Sequence, residues 1–289
     1  MILTLFTPAY NRAETLPRLY ESLLKQTCFR FEWLIIDDGS KDRTAQVVQK
    51  FTGEGKFPVR YVYKENGGKH TAHNRALQEA AGEWFMCVDS DDTLTADAVE
   101  RIMEVAQRET NINGIVSYKT DLAGNLLGDA FPQGVKRSKF YELELRYGCH
   151  GEYALAFPTQ FARNYPFPVF GKERFVGECV VYDRMDGAGE MYLLDVVTMP
   201  CEYQPEGYSQ DFSRLMRQNP TGFCLYFLQR IDLMPTWMGR LKIAGRYQCF
   251  RLISGEKTLR YQGEHKGFVA LSFLVGIVFR VYYKLCRRI

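Results

Sequence analysis

Residues 84–94 read WFMCVDSDDTL: five apolar side chains run straight into Asp89, Ser90, Asp91 and Asp92. A short apolar run ended by a polar turn is the pattern of a buried strand. Three carboxylates within four residues repel one another unless water or a cation surrounds them. A solvated turn satisfies them and so does a divalent metal site; the stretch alone leaves both open. In an extended segment residues two apart share a face, which puts Asp89 and Asp91 together and Asp92 opposite. Two aligned carboxylates suit a hard dication, Mg²⁺ or Mn²⁺.

Outward from this stretch, strand and helix patterns alternate through the first hundred residues. Ile2–Phe6 is an apolar run followed by the loop TPAYN, FEWLIID ends in Asp37 and Asp38, and VRYVYKEN alternates as a strand. Between them, Leu16, Leu19, Leu23 and Leu24 recur at helical spacing, with Pro17 admissible in the first turn. Ser40 is placed to cap a helix carrying Val47, Val48 and Phe51. Ala72, Ala76, Leu77 and Ala80 form the next stripe, which Gly82 is placed to stop, and Thr95 reads as a cap with Leu94 and Val99 as its staple. Repeated βα units predict an α/β, doubly wound, mostly parallel sheet flanked by helices. Ligands in such sheets bind beyond the carboxyl ends of the strands, where both acid clusters fall.

The rest of the chain is less regular. INGIVSY reads as a strand, DLAGN as a turn leading to another strand, residues 138–147 as a short helix and MYLLDVVTM as a strand. These patterns predict a regular βα half over 1–110, a less regular second half over 111–210, and a basic helical C-terminal region over 211–289. Net charge is +3 over 289 residues, but residues 211–289 carry 14 Lys and Arg against 4 Asp and Glu. Such asymmetry points the tail toward something anionic, either nucleic acid or membrane. The apolar stretch Phe268–Phe279, followed by Arg280, Lys284, Arg287 and Arg288, falls short of the roughly 20 residues of a spanning helix. Phe268, Leu271, Leu274, Val275, Val278, Val281 and Tyr282 share a broad face that suits a helix lying in a membrane interface, or one packed on the protein core. The eight cysteines show no metal-site spacing, which suits a reducing cytosol. The N-terminus reads as a first strand, not a signal peptide.

Three stretches carry chemistry. DDGS at 37–40 is either a capped turn or a nucleoside pocket whose carboxylates accept from a base N–H or a ribose hydroxyl. ENGGKHTAHN at 65–74 puts Gly67 and Gly68 before a helix N-terminus, a natural place for an anion, with Lys69, His70 and His73 nearby. DSDD at 89–92 is the third.

In order, TPAYN at 7–11, DDGS, NGGKHTAHNRALQEAAGEW at 66–84 and DSDD resemble the bacterial-type glycosyltransferases of family 2, with the fold called GT-A. The resemblance is strong over about 1–110 and loose over 111–210. It implies that Thr7, Ala9, Asp37 and Asp38 hold the nucleoside, and that Asp89 and Asp91 hold the metal and the sugar diphosphate, with Ser90 among the donor contacts. Many relatives have Arg where this chain has His73, so Lys69 and His73 would share that residue's task toward the donor. The family's base is an acid at a helix start in the second half; Glu173, Glu178 and Asp183 are the candidates, and Glu178 matches best. The implied activity is metal-dependent, inverting transfer from a nucleotide-sugar, UDP-linked, to a saccharide or lipid-linked saccharide in surface-glycan assembly. The location implied is cytoplasmic, peripheral on the inner membrane face, with no nucleic-acid partner. The rivals are a nucleotidyltransferase, which would carry a Gly-rich basic loop directly after the first strand, and a non-catalytic nucleotide-fold module with a membrane-binding tail.

Overall fold

The computed structural model describes residues 2–53, 55–202 and 212–285. The elements in chain order are β1 (Leu3–Ala9), α1 (Leu16–Leu24), β2 (Phe31–Asp37), α2 (Thr44–Thr52), β3 (Val59–Tyr63), α3 (Lys69–Glu79), β4 (Trp84–Cys87), α4 (Ala98–Arg108), β5 (Gly114–Thr120), β6 (Arg137–Ser138), α5 (Phe140–Leu145), β7 (Tyr153–Pro158), α6 (Thr159–Ala162), α7 (Cys179–Met185), β8 (Met191–Pro200), α8 (Phe212–Gln218), α9 (Pro220–Arg230), α10 (Trp237–Ser254), α11 (Lys266–Leu271) and α12 (Phe273–Leu285). The chain forms two compact units, Met1–Pro166 with Arg184–Gln204, and Phe167–Asp183 with Pro205–Ile289. Residues 167–183 therefore group with the C-terminal helices, a division the three-part reading of the sequence did not contain. The 210/211 boundary of that reading lies outside the described residues.

The first unit is built on one eight-stranded sheet in the order β3-β2-β1-β4-β7-β5-β8-β6. β3, β2, β1 and β4 are parallel, β5 and β8 are parallel, and β7 runs antiparallel to both β4 and β5. The expectation of a mostly parallel, doubly wound sheet holds. Every residue of β2 is buried, as a central strand covered on both faces requires. One covering layer comes from Tyr20, Phe51 and Trp33, whose rings stack at 4.2–5.9 Å. Register aligns the carboxyl ends: Ala9 lies opposite Asp37, Asp37 opposite Tyr63, and Phe6 opposite Cys87. The chain leaves β1 toward β2 on one side and pairs with β4 on the other, which makes the β1–β4 edge a switch point.

Several local expectations change. Ser40 does not cap α2, which begins at Thr44 with Arg43 at the cap position; Asp42, one residue before that position, accepts from Thr44 N at 2.9 Å. Thr95 does not cap α4, which begins at Ala98 with Asp97 at the cap position, two residues later. Gly82 does not end α3. A Cβ there would lie 2.6 Å from Thr4 N, so glycine lets this loop pass over β1. The DLAGN turn forms around the Asp121 carboxylate, but the following residues make only isolated bridges at Leu126 and Gly128 rather than a strand.

In the second unit, α9, α10 and α12 pack around Phe223, Phe227, Tyr247, Phe250 and Tyr283. α12 meets α10 where glycines allow it: a Cβ on Gly276 would lie 2.6 Å from the Gln248 Cβ, and one on Gly245 2.6 Å from a Val275 methyl. By length and composition Lys266–Leu285 could cross a membrane, which corrects the length argument from the sequence. It is broken at Ser272 between α11 and α12, and one face packs on α10. The opposite face is exposed: Leu271 at 77%, Leu274 at 70%, Val278 at 67% and Leu285 at 78%. Phe268 and Val275, which spacing puts on the same broad face as Leu271, Leu274 and Val278, pack inward. Arg287 and Arg288 lie outside the described residues.

Candidate active site

Four loops follow the carboxyl ends of β1, β2, β3 and β4, and hydrogen bonds tie them together. At the end of β1 the chain turns at Asn11, whose φ of 54° is one Asn tolerates. Asn11 N donates to Ser40 Oγ at 2.9 Å, Arg12 N to Thr44 Oγ1 at 2.9 Å and Ala13 N to Asp42 Oδ2 at 3.1 Å. Ser40, expected as a helix cap, thus holds the first loop against the second.

Asp37 and Asp38 are both buried. Asp37 accepts from Ser40 N at 2.7 Å and from the Tyr61 hydroxyl at 2.5 Å. Burial, then that carboxylate, pushes the Tyr61 phenol up. Asp38 accepts from Gly67 N at 2.9 Å, from Gly68 N at 2.7 Å and from Lys64 Nζ. Lys64 Nζ also donates to Thr71 Oγ1 at 2.9 Å. Gly68 has φ 94°, and a Cβ on Gly67 would lie 2.7 Å from Thr71 Oγ1, so both glycines are required by this close loop. Asp38 therefore fixes the loop that leads into α3.

Lys69 is the first residue of α3, and its ammonium lies 2.7 Å from the Asp89 carboxylate. The DSDD segment is a tight turn, Asp92 N donating to Asp89 O at 3.0 Å, and not the extended segment the spacing implied. Exposure nonetheless alternates: Asp89 and Asp91 are partly exposed, Ser90 and Asp92 buried. Burial works to raise the Asp89 carboxyl, but Lys69 and then Lys119 outweigh it and hold it below the usual range. Asp91 is pushed up by burial and by the charge of Asp89. Asp92 is pushed up to about 6 by burial, against the pull of Lys119, whose ammonium is 3.5 Å away. Arg18 anchors the turn from outside, donating to Asp91 O and pairing with Glu202.

Of the residues picked from sequence, the structure brings Asp37, Asp38, Lys69, Asp89, Ser90 and Asp91 to one edge. Thr7 is buried and accepts from Trp33 Nε1 at 2.9 Å, so its side chain lies in the core. Ala9 is buried, and its carbonyl accepts from Asp38 N at 2.7 Å. His73 is 4% exposed, its ring edge-on to Phe6 and Phe85 at 5.6 and 5.2 Å. Lys69, not His73, is the member of that pair presented to the acids. Tyr61, Lys64 and Lys119 went unnoticed in the sequence. KEN at 64–66 was read as the end of a strand, although a lysine one strand over from two acids was the available signal.

The donor set suits a dication. Asp89 and Asp91 are close enough for one to raise the other, and a cation relieves that repulsion. Among the described residues no group of three or more His, Cys, Asp or Glu could hold a metal ion. A hard cation held by one or two carboxylates, with substrate phosphates and water completing its shell, needs no such cage.

The second unit holds the three candidates for the base. Glu173 accepts from Thr221 N at 2.7 Å and Gly222 N at 2.9 Å, capping α9. Asp183 is buried in an ion pair with Arg230 at 2.8 Å. Glu178 is half-buried at the start of α7, its carbonyl accepting from Val181 N and Tyr182 N.

The sequence profile of "Glycosyl transferase family 2" matches residues 4–160. A chondroitin synthase of Pasteurella multocida is 40% identical over 139 residues, 48% of this chain and 14% of that protein. An uncharacterized glycosyltransferase of Haemophilus influenzae is 35% identical over 115 residues, 39% of this chain and 37% of that protein. The matches thus span well under half the length of these relatives. Among solved structures, S. aureus TarS 1-349 in complex with UDP-GlcNAc superposes with TM-score 0.62 at 17% identity, covering 94% of this chain and 79% of that one. The mannosyltransferase PcManGT of Pyrobaculum calidifontis, in complex with GDP-Man and Mn²⁺, gives 0.56 at 18% identity, covering 98% and 87%. These likenesses show a shared GT-A fold. With more than half of its residues matched by the profile, the chain belongs to glycosyl transferase family 2.

Proposed function

We propose that the protein is a metal-dependent, inverting glycosyltransferase that moves a sugar from a UDP-sugar to a hydroxyl of a saccharide or lipid-linked saccharide acceptor. The observation that carries this reading is the meeting of DDGS, the NGGK loop and DSDD at one sheet edge, with Lys69 against Asp89. Asp37, Asp38 and the loop they order shape the nucleoside end of the donor site. Asp89 and Asp91 hold Mn²⁺ or Mg²⁺, which supplies Lewis-acid withdrawal of charge from the leaving diphosphate. Lys69, the first residue of α3, adds positive charge for the phosphates at that helix's N-terminal end, on a loop held by Asp38. Glu178 takes the proton of the attacking hydroxyl as the sugar develops oxocarbenium character. Glu178 stands just before the first residue of α7, the helix-start position at which the family resemblance places the base.

The exposed apolar face of α11 and α12, beside Arg280 and Lys284, supports binding to an anionic membrane surface. Because the other face packs on α10, the reading is a helix lying in the interface. The test is thermal stabilisation by a panel of nucleotide-sugars with and without Mn²⁺. A Mn²⁺-dependent shift with a UDP-sugar is expected, and no shift with any of them would refute the reading.

A further inference from the structure

We propose that Lys69 is shared between Asp89 and the donor diphosphate, so that it couples cation binding to donor binding; this rests on the donor and cation site proposed above. Lys69 is the first residue of α3, directly after Gly68, and the loop before it is fixed by the bonds of Gly67 N and Gly68 N to Asp38. The backbone is thus anchored, while the flexible four-carbon stem lets the ammonium turn between two partners. That ammonium lies 2.7 Å from Asp89, and both side chains are partly open to solvent, at 26% and 32%. Arg12 and Lys119 add positive charge around the same carboxylate.

A dication arriving at Asp89 therefore meets a positive charge already paired with its ligand. Without an anion nearby, Lys69 opposes the cation. With a diphosphate present, the ammonium has a second partner of the same sign as Asp89. Turning toward it releases Asp89 to the cation and removes the repulsion. Each ligand thereby favours the other, and by linkage the coupling is reciprocal. The donor and its cation then bind together, and free cation alone binds weakly.

The discriminating variant is Lys69→Met, which keeps the stem and removes the charge. Calorimetry on the full chain would measure Mn²⁺ alone, UDP alone, and UDP at saturating Mn²⁺. The variant is expected to bind Mn²⁺ alone about fivefold or more tightly than the unsubstituted protein, and UDP alone about fivefold or more weakly. Lys69→Arg is expected to keep the unsubstituted pattern. Opposite signs for the two ligands are the signature, since a lysine that only steadies the acidic turn would weaken Mn²⁺ on removal and leave UDP alone unchanged. If both affinities fall together, or Mn²⁺ alone is unaffected, the coupling role is overturned while the donor site stands. If the unsubstituted protein binds UDP under no condition, the proposed function and the coupling fail together.

Discussion

Asp37 and Asp38 are adjacent in sequence and hold different parts of the site. Asp37 fixes its own turn through Ser40 and reaches Tyr61 on the next strand, whereas Asp38 fixes the glycine loop through Gly67, Gly68 and Lys64. Removing Lys64 leaves a buried carboxylate short of its cationic partner. Lys64→Met is therefore expected to lower unfolding free energy by about 1–3 kcal/mol in urea titrations, and to weaken nucleotide binding with it. The acids themselves were legible, because two carboxylates at a strand end followed by Gly and Ser admit few uses. Their partners were not, since Asp38 and Lys64 are 26 residues apart and only strand register brings them together. The same limit applies to Thr7 and His73, for which the resemblance implies donor contacts: tertiary packing puts the Thr7 side chain on Trp33 and the His73 ring against Phe6 and Phe85.

Among elements, α9 and α7 separate a structural acid from the proposed catalytic one. Glu173→Ala removes the cap from α9, with an expected cost of about 0.5–2 kcal/mol and transfer retained by the folded protein. Glu178→Gln is expected to lower the transfer rate by about 10²–10⁴-fold with an unchanged melting temperature. Rate and melting curves on both variants check the pair. The α10–α12 contact offers a third test. Gly276→Leu drives a side chain into Gln248 and Cys249, so it is expected to cost about 1–3 kcal/mol or to detach α12, seen as a lower melting temperature. Helix existence was readable from spacing throughout the first hundred residues. The starts of α2 and α4 depart from the sequence expectation because Ser40 and Thr95 have capping side chains that bond elsewhere: Ser40 Oγ accepts from Asn11 N, and Thr95 Oγ1 donates to Val197 O of β8 at 3.3 Å.

For the whole molecule, the proposed membrane role joins the excess of Lys and Arg over residues 211–289 to the bare apolar face of α11 and α12, as attraction to anionic lipid followed by shallow insertion. Leu274→Asp with Val278→Asp is expected to weaken co-sedimentation with anionic liposomes by about 100-fold, and neutral liposomes should bind poorly even before substitution. The parallel sheet was legible because apolar runs and acids alternate with helix stripes. The grouping of residues 167–183 with the C-terminal helices was not, because it rests on contacts such as Asp183 with Arg230 and Glu173 with Gly222 N, 47 and 49 positions apart. The central claim is that Asp89 and Asp91 bind a cation that the donor diphosphate needs. Calorimetric titration of UDP into the protein, with and without Mn²⁺, and into Asp91→Asn, tests it most directly. The account predicts that Mn²⁺ tightens UDP about tenfold or more in the unsubstituted protein and has little effect in the variant. Equal UDP affinity with and without Mn²⁺, or the same Mn²⁺ effect in both proteins, would contradict it.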